Sequence, residues 1–131
     1  MIKRTSLLGS VLLSVSLSTS LWAAGGAEQK YPDVVAVQVK ARGADTFDFE
    51  VTVSSPYDSP QRYADAFRVL GPKDEVYGER LLAHDHAGEQ PFTRDLYEVK
   101  VPKGLGRVSV QGRDQHFGYG GQRFDVKLPG R

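Results

Sequence analysis

The chain contains no cysteine. That absence excludes disulfide bonds, thiolate metal centres, a cysteine nucleophile and a thioether-linked lipid. Methionine and tryptophan occur once each, as Met1 and Trp22. Without soft sulfur donors in the body of the chain, Cu(I) and blue-copper sites are excluded as well. Charge of one sign is also lacking: 17 Lys and Arg stand against 16 Asp and Glu, for a net charge of +1. No Lys/Arg cluster interrupts that balance, so nucleic acid is not an expected partner. Catalytic signatures are missing too, with no nucleophile elbow and no phosphate-cradling glycine loop ahead of a helix. A Ser-His-Asp set can be assembled on paper from Ser55 or Ser59, His84 or His116, and Asp85, but no spacing favours it. An enzymatic role is therefore not the expectation.

What is present begins with an export pattern. Lys3 and Arg4 precede a stretch from Leu7 to Leu21 that carries no charge. Small residues follow, from Ala23 to Ala27, as a signal peptidase requires. The expected division is a signal peptide over 1–24, a flexible lead-in over 25–33 and one domain over 34–129, periplasmic or secreted. The run is short and serine-rich for a spanning helix. No membrane anchor is expected after cleavage, and no cysteine follows the run to take a lipid. Loss of Lys3 and Arg4 leaves 15 basic residues against 16 acidic ones, so the mature charge is near −1. About 107 residues remain, enough for a single core.

Within those residues the apolar period is two. Val35, Val37, Val39 and Ala41 alternate with polar or small neighbours, and Phe47, Phe49, Val51 and Val53 alternate with Asp48, Glu50 and Thr52. This is the pattern of strands with one face on a core. Further strands are expected over Arg62–Leu70, Val76–His84, Phe92–Val101, Arg107–Arg113 and Arg123–Leu128. The connections lie over Ser54–Gln61, Gly71–Asp74, His84–Pro91 and Asp114–Gln122, with Gly43 and Gly71 as turn residues. Seven short strands in about 100 residues predict an all-β fold: a single antiparallel immunoglobulin-like or fibronectin-like sandwich, with a small barrel as the alternative. Tyr63, Tyr77 and Tyr97 read as core or sheet-face residues. Arg80, Arg94 and Arg113 read as outer-face residues paired with acids. In length and layout, and in the segment Ala83–Phe92 (AHDHAGEQPF), the chain resembles small, exported, uncharacterised bacterial proteins with an immunoglobulin-like domain. The resemblance implies the fold and brings no activity or site residues.

If strands alternate in direction, the second, fourth and sixth connections share one end. All three histidines, His84, His86 and His116, fall there with Asp58, Asp85, Glu89 and Asp114. Two histidines at i and i+2 on extended backbone share a face. His84, His86 and His116 are thus candidate ligands for Cu(II) or Zn(II), less readily Ni(II), with Asp58, Asp85 or Asp114 as an oxygen ligand or orienting partner. The same loops read equally as solvated polar segments. The carboxylates lack a calcium-loop pattern. The alternative is an interaction module that recognises an envelope protein or glycan through loop 114–122, where Phe117 and Tyr119 stand on a glycine frame.

Overall fold

The computed structural model describes residues 28–131. The expected signal peptide and residues 25–27 of the lead-in lie outside them. Seven strands follow: β1 (Asp33–Gly43), β2 (Thr46–Ser54), β3 (Ala64–Leu70), β4 (Val76–Leu81), β5 (Phe92–Lys100), β6 (Arg107–Asp114) and β7 (Gly118–Lys127). They form a three-stranded sheet in the order β1-β2-β5 and a four-stranded sheet in the order β4-β3-β6-β7. Every neighbouring pair is antiparallel. The sheets are separate, so the fold is a sandwich and not a closed barrel. β4 pairs with β3, whereas the constant-type immunoglobulin order puts the fourth strand with the first, second and fifth. The likeness to immunoglobulin domains is thus one of sandwich architecture.

The core lies between the two sheets, where strand alternation sends alternate side chains inward. β2 contributes Phe47, Phe49, Val51 and Val53, and β3 contributes Ala64, Phe67 and Val69; Val34, Leu82, Phe92, Val99, Val101, Val108, Val110 and Leu128 complete it. β2 follows its sequence pattern throughout. β1 does not: its pairing with β2 shifts between Val34 and Ala36. The extra residue places Val34 in the core and leaves Val35 exposed. Val37 and Val39 then return to pack against the core.

Residues 28–32 are joined to the sandwich by specific contacts. A Cβ on Gly120 would stand 2.4 Å from the Tyr31 ring, and one on Gly112 would stand 2.6 Å from Pro32 Cγ. These two glycines are the space into which Tyr31 and Pro32 fit. The Gln122 amide donates to Asp33 Oδ1 at 2.8 Å, which fixes β7 to the start of β1. β7 therefore begins at Gly118, five residues before its apolar alternation starts. At the opposite end, Arg131 donates to the Pro102, Leu105 and Val101 carbonyls at 2.7, 3.1 and 3.1 Å.

Candidate functional site

The second, fourth and sixth connections do meet at one end, and buried carboxylates join them. Asp58, in the second connection, is 6 % exposed. Its Oδ1 accepts from the Ala64 amide at 3.0 Å, and its Oδ2 accepts from the His86 amide at 3.0 Å. One side chain thereby fixes the start of β3 and the fourth connection. Gln90 adds a second link: its Oε1 accepts from the Ser55 amide at 2.7 Å, and its Nε2 donates to the His86 carbonyl at 3.1 Å. Irregular backbone buried in this way needs such partners, because no neighbouring strand supplies them.

Asp114 organises the sixth connection. It is fully buried. Its Oδ2 accepts from the His116 and Phe117 amides, each at 2.8 Å, which closes a tight turn in the manner of an Asx turn. Its Oδ1 accepts from Arg62 Nε at 3.1 Å. Burial works against ionisation, but the Phe117 and His116 amides and the Arg62 guanidinium hold the carboxyl below the usual carboxylate range. Arg62 also donates to the Gln29 and Lys30 carbonyls at 2.9 and 2.7 Å. Its guanidinium lies 4.2 Å from the Tyr57 ring centre and 4.9 Å from that of Phe117. The Tyr57 hydroxyl is buried beside the Asp114 carboxylate. Burial and the nearby Asp114 carboxylate push its pKa upward.

The histidines occupy three different settings. β4 ends at Leu81, so His84 and His86 lie in the connection and not on extended strand. Their rings nevertheless stand 4.9 Å apart. His84 is exposed and donates from Nδ1 to the Asp85 carbonyl at 2.9 Å, which leaves Nε2 with its lone pair. His86 is 6 % exposed and stacks on Phe92 with centroids 4.0 Å apart. Its Nδ1 is buried without a partner among the described residues. Burial, then Arg94 and His84, push the His86 pKa down, so the ring is neutral at neutral pH. His116 is turned to the second connection and donates from Nε2 to the Gln61 carbonyl at 3.1 Å. Among the described residues no group of three or more His, Asp or Glu side chains gathers where one ion could sit. The expected set of His84, His86 and His116 is therefore not assembled. The physical reason is that His86 is held under the fourth connection against Phe92, while His116 is turned away to the Gln61 carbonyl of the second connection.

The two aromatics of the sixth connection are also separated. Phe117 stays in the turn and is 51 % exposed, with the Tyr31 ring edge-on at 6.3 Å and Lys30 Nζ at 5.7 Å. Tyr119 belongs to β7 and lies across the outer face of the four-stranded sheet. Arg68 covers its ring at 3.7 Å, and its hydroxyl donates to Glu79 on β4. The expected loop 114–122 is thus a short turn followed by strand. Of the arginines expected on outer faces, Arg94 pairs with Glu89 and Arg113 with Asp65, while Arg80 donates to the Asp95 carbonyl at 2.9 Å. Sequence reasoning missed Arg62 and Gln90. Neither sits in a recognisable pattern, because Arg62 reaches Asp114 and the Gln29 and Lys30 carbonyls, and Gln90 reaches the Ser55 amide, all distant in sequence.

The chain is similar to a protein of Halomicrobium mukohataei described as "Putative lipoprotein", with 38% identity over 94 residues. The match covers 72% of this chain and 46% of that protein, so the chain spans about half the length of the relative. No family model matches the chain, and no solved structure does.

Two predictions follow from the carboxylates and His86. Asp58→Ala leaves two amides, at the start of β3 and in the fourth connection, without a partner and is expected to cost about 2–4 kcal/mol in a urea unfolding titration. A loss near zero would show that water replaces the carboxylate. The lowered His86 pKa means that the unfolded chain takes up this proton at higher pH than the folded chain does. Stability from this group is complete above about pH 6.5 and declines as pH falls through the depressed folded value. Thermal unfolding from pH 7.5 down to 5.5 should show that decline in the native chain and a smaller one in His86→Phe. Equal declines would place the titrating group elsewhere.

Proposed function

We propose that the protein is an exported, non-catalytic β-sandwich binding domain of the cell envelope that engages a partner protein through Phe117. The observation that carries this reading is the presentation of Phe117: a half-exposed ring whose backbone amide is held by buried Asp114 and which packs beside the Arg62 guanidinium. A rigid aromatic loses little conformational freedom on binding, which is the property of an interface anchor. Location in the envelope is supported by the charged, apolar and small-residue order of the first 27 residues and by the description of the relative as a lipoprotein. Within the envelope this reading places the domain in the periplasm or outside the cell.

A photo-cross-linking amino acid placed at position 117 in cells should give discrete adducts of higher mass. The same group at Val76, exposed at the other end of the sandwich, should not. Adducts from both positions, or from neither, would remove the Phe117 reading.

A second reading keeps Cu(II) or Zn(II) on the His84–His86 pair alone, supported by the 4.9 Å ring separation, with solvent completing the coordination. Calorimetric titration of chelator-stripped protein should then show binding that His84→Ala abolishes and His116→Ala leaves unchanged. Loss in both variants would mean that the loops close on the ion and that His116 is a ligand after all.

A further inference from the structure

The outer face of the three-stranded sheet carries a feature that the loop end does not explain. Between Phe47 and Phe49 the pairing of β2 with β5 shifts from Val99 to Leu96. Tyr97 and Glu98 thus stand opposite the single residue Asp48, which is a β-bulge. Glu98 takes φ = +57°, a left-handed conformation that a side-chain-bearing residue adopts at a cost. Bulges re-aim side chains, and strained residues collect at working surfaces. Here the bulge is held in place from below. Asp48 is 8 % exposed; its Oδ1 accepts from the Glu98 amide at 2.9 Å, and its Oδ2 accepts from Arg42 Nε.

The bulge leaves Tyr97 standing outward, 58 % exposed. Its hydroxyl donates to Asp95 Oδ2 at 2.9 Å, which fixes the direction of the ring. Beside it runs a groove of about 740 Å³ lined by Arg42, Thr46, Asp48, Tyr97, Glu98 and Lys100. A second hollow of about 270 Å³ shares Arg42, Asp48 and Tyr97 and adds Gln38, Lys40, Glu50 and Asp95. The larger of the two is within the size range of small-ligand sites.

The chemistry of the lining selects a ligand class. In the main groove Arg42 and Lys100 balance Asp48 and Glu98, so its lining carries no net charge. Donors and acceptors both face the groove, with an aromatic ring at its edge. Cations stand by the other outward rings: Arg68 lies over Tyr119 at 3.7 Å, and Arg62 lies on one side of the half-exposed Phe117 at 4.9 Å. No guanidinium or ammonium among the described residues stands over Tyr97. An uncovered aromatic face beside mixed, charge-balanced hydrogen-bonding groups matches a pyranose. Its C–H face packs on the π-cloud, and its hydroxyls both donate and accept.

We propose that the groove beside the Tyr97–Glu98 bulge binds a neutral saccharide chain, stacked on Tyr97 and hydrogen-bonded by Glu98, Lys100 and Arg42. This site is separate from the Phe117 turn and does not rest on the partner-protein reading. Its test is native affinity electrophoresis of the chain in gels cast with soluble neutral polysaccharides: a mixed-linkage β-glucan, hydroxyethyl cellulose, galactomannan, xylan and dextran. The native chain should be retarded by at least one of them, and the retardation should persist in high salt because no net charge drives it. Tyr97→Ala should weaken retention by about tenfold or more, while Tyr97→Phe, which keeps the stacking face, should stay within a few-fold. Leu81→Ala, an exposed change on the other sheet, should have no effect. Thermal melts of each variant separate lost binding from lost folding. No retardation by any of the five polymers would overturn the proposal, as would retention that salt abolishes or that a folded Tyr97→Ala preserves.

Discussion

Two backbone N–H groups, those of Ala64 and His86, meet one buried carboxylate, that of Asp58. Much of the loop end depends on this arrangement. The second and fourth connections are irregular, so their buried amides have no strand ladder to complete. A chain without cysteine cannot cross-link them covalently. Asp58 does the joining electrostatically, Gln90 repeats it from the fourth connection, and Asp114 does the same for the sixth. A lost partner at such a point leaves a desolvated amide, which is why these bonds constrain more than their net strength suggests. The same bonds decide the fate of the histidines. The Asp58 bond to the His86 amide fixes the fourth connection, and His86 is drawn under the loop against Phe92 while His116 turns to the Gln61 carbonyl.

The sequence carried a good deal of this and missed the rest for identifiable reasons. Alternation alone located β2, because Phe47, Phe49, Val51 and Val53 all face one core. Strand direction alone brought the even-numbered connections together. Alternation failed where an extra residue entered a strand. At Val35 nothing in the local pattern marks the shift, since Val34 and Val35 are equally apolar. At β5 a sign was visible: the inward residues Leu96 and Val99 are three apart, not two, and that step is the bulge. Gly118, Gly120 and Gly121 read as a loop, since glycine is poor in strands. Gly120 and Gly121 are small because of Tyr31 and Pro32, about 90 residues away, and one-dimensional pattern has no access to that. Arg62 was invisible for the same reason, for its partners are Gln29, Lys30, Tyr57, Asp114 and Phe117.

The residues with the strongest shape in sequence, the His-x-His pair, are thus absorbed into structure more than the sequence suggests, and residues with no motif shape the outer surfaces. Arginine is the agent. Over Tyr119 an arginine closes the ring against the sheet. Beneath the Phe117 turn, Arg62 stiffens an aromatic that stays half-exposed. At Tyr97 the nearest arginine, Arg42, is instead engaged by Asp48 below the bulge, and the ring face remains open. An aromatic side chain is available for binding when its orientation is fixed and its face is uncovered, since orientation removes the entropic cost and exposure supplies the contact area. Tyr97 meets both conditions through Asp95, and Phe117 meets the first fully and the second in part. Tyr119 meets only the first. The placing of three arginines, more than the placing of the rings themselves, therefore distinguishes the surfaces of this sandwich that can receive a ligand from the surface that holds the sheet together.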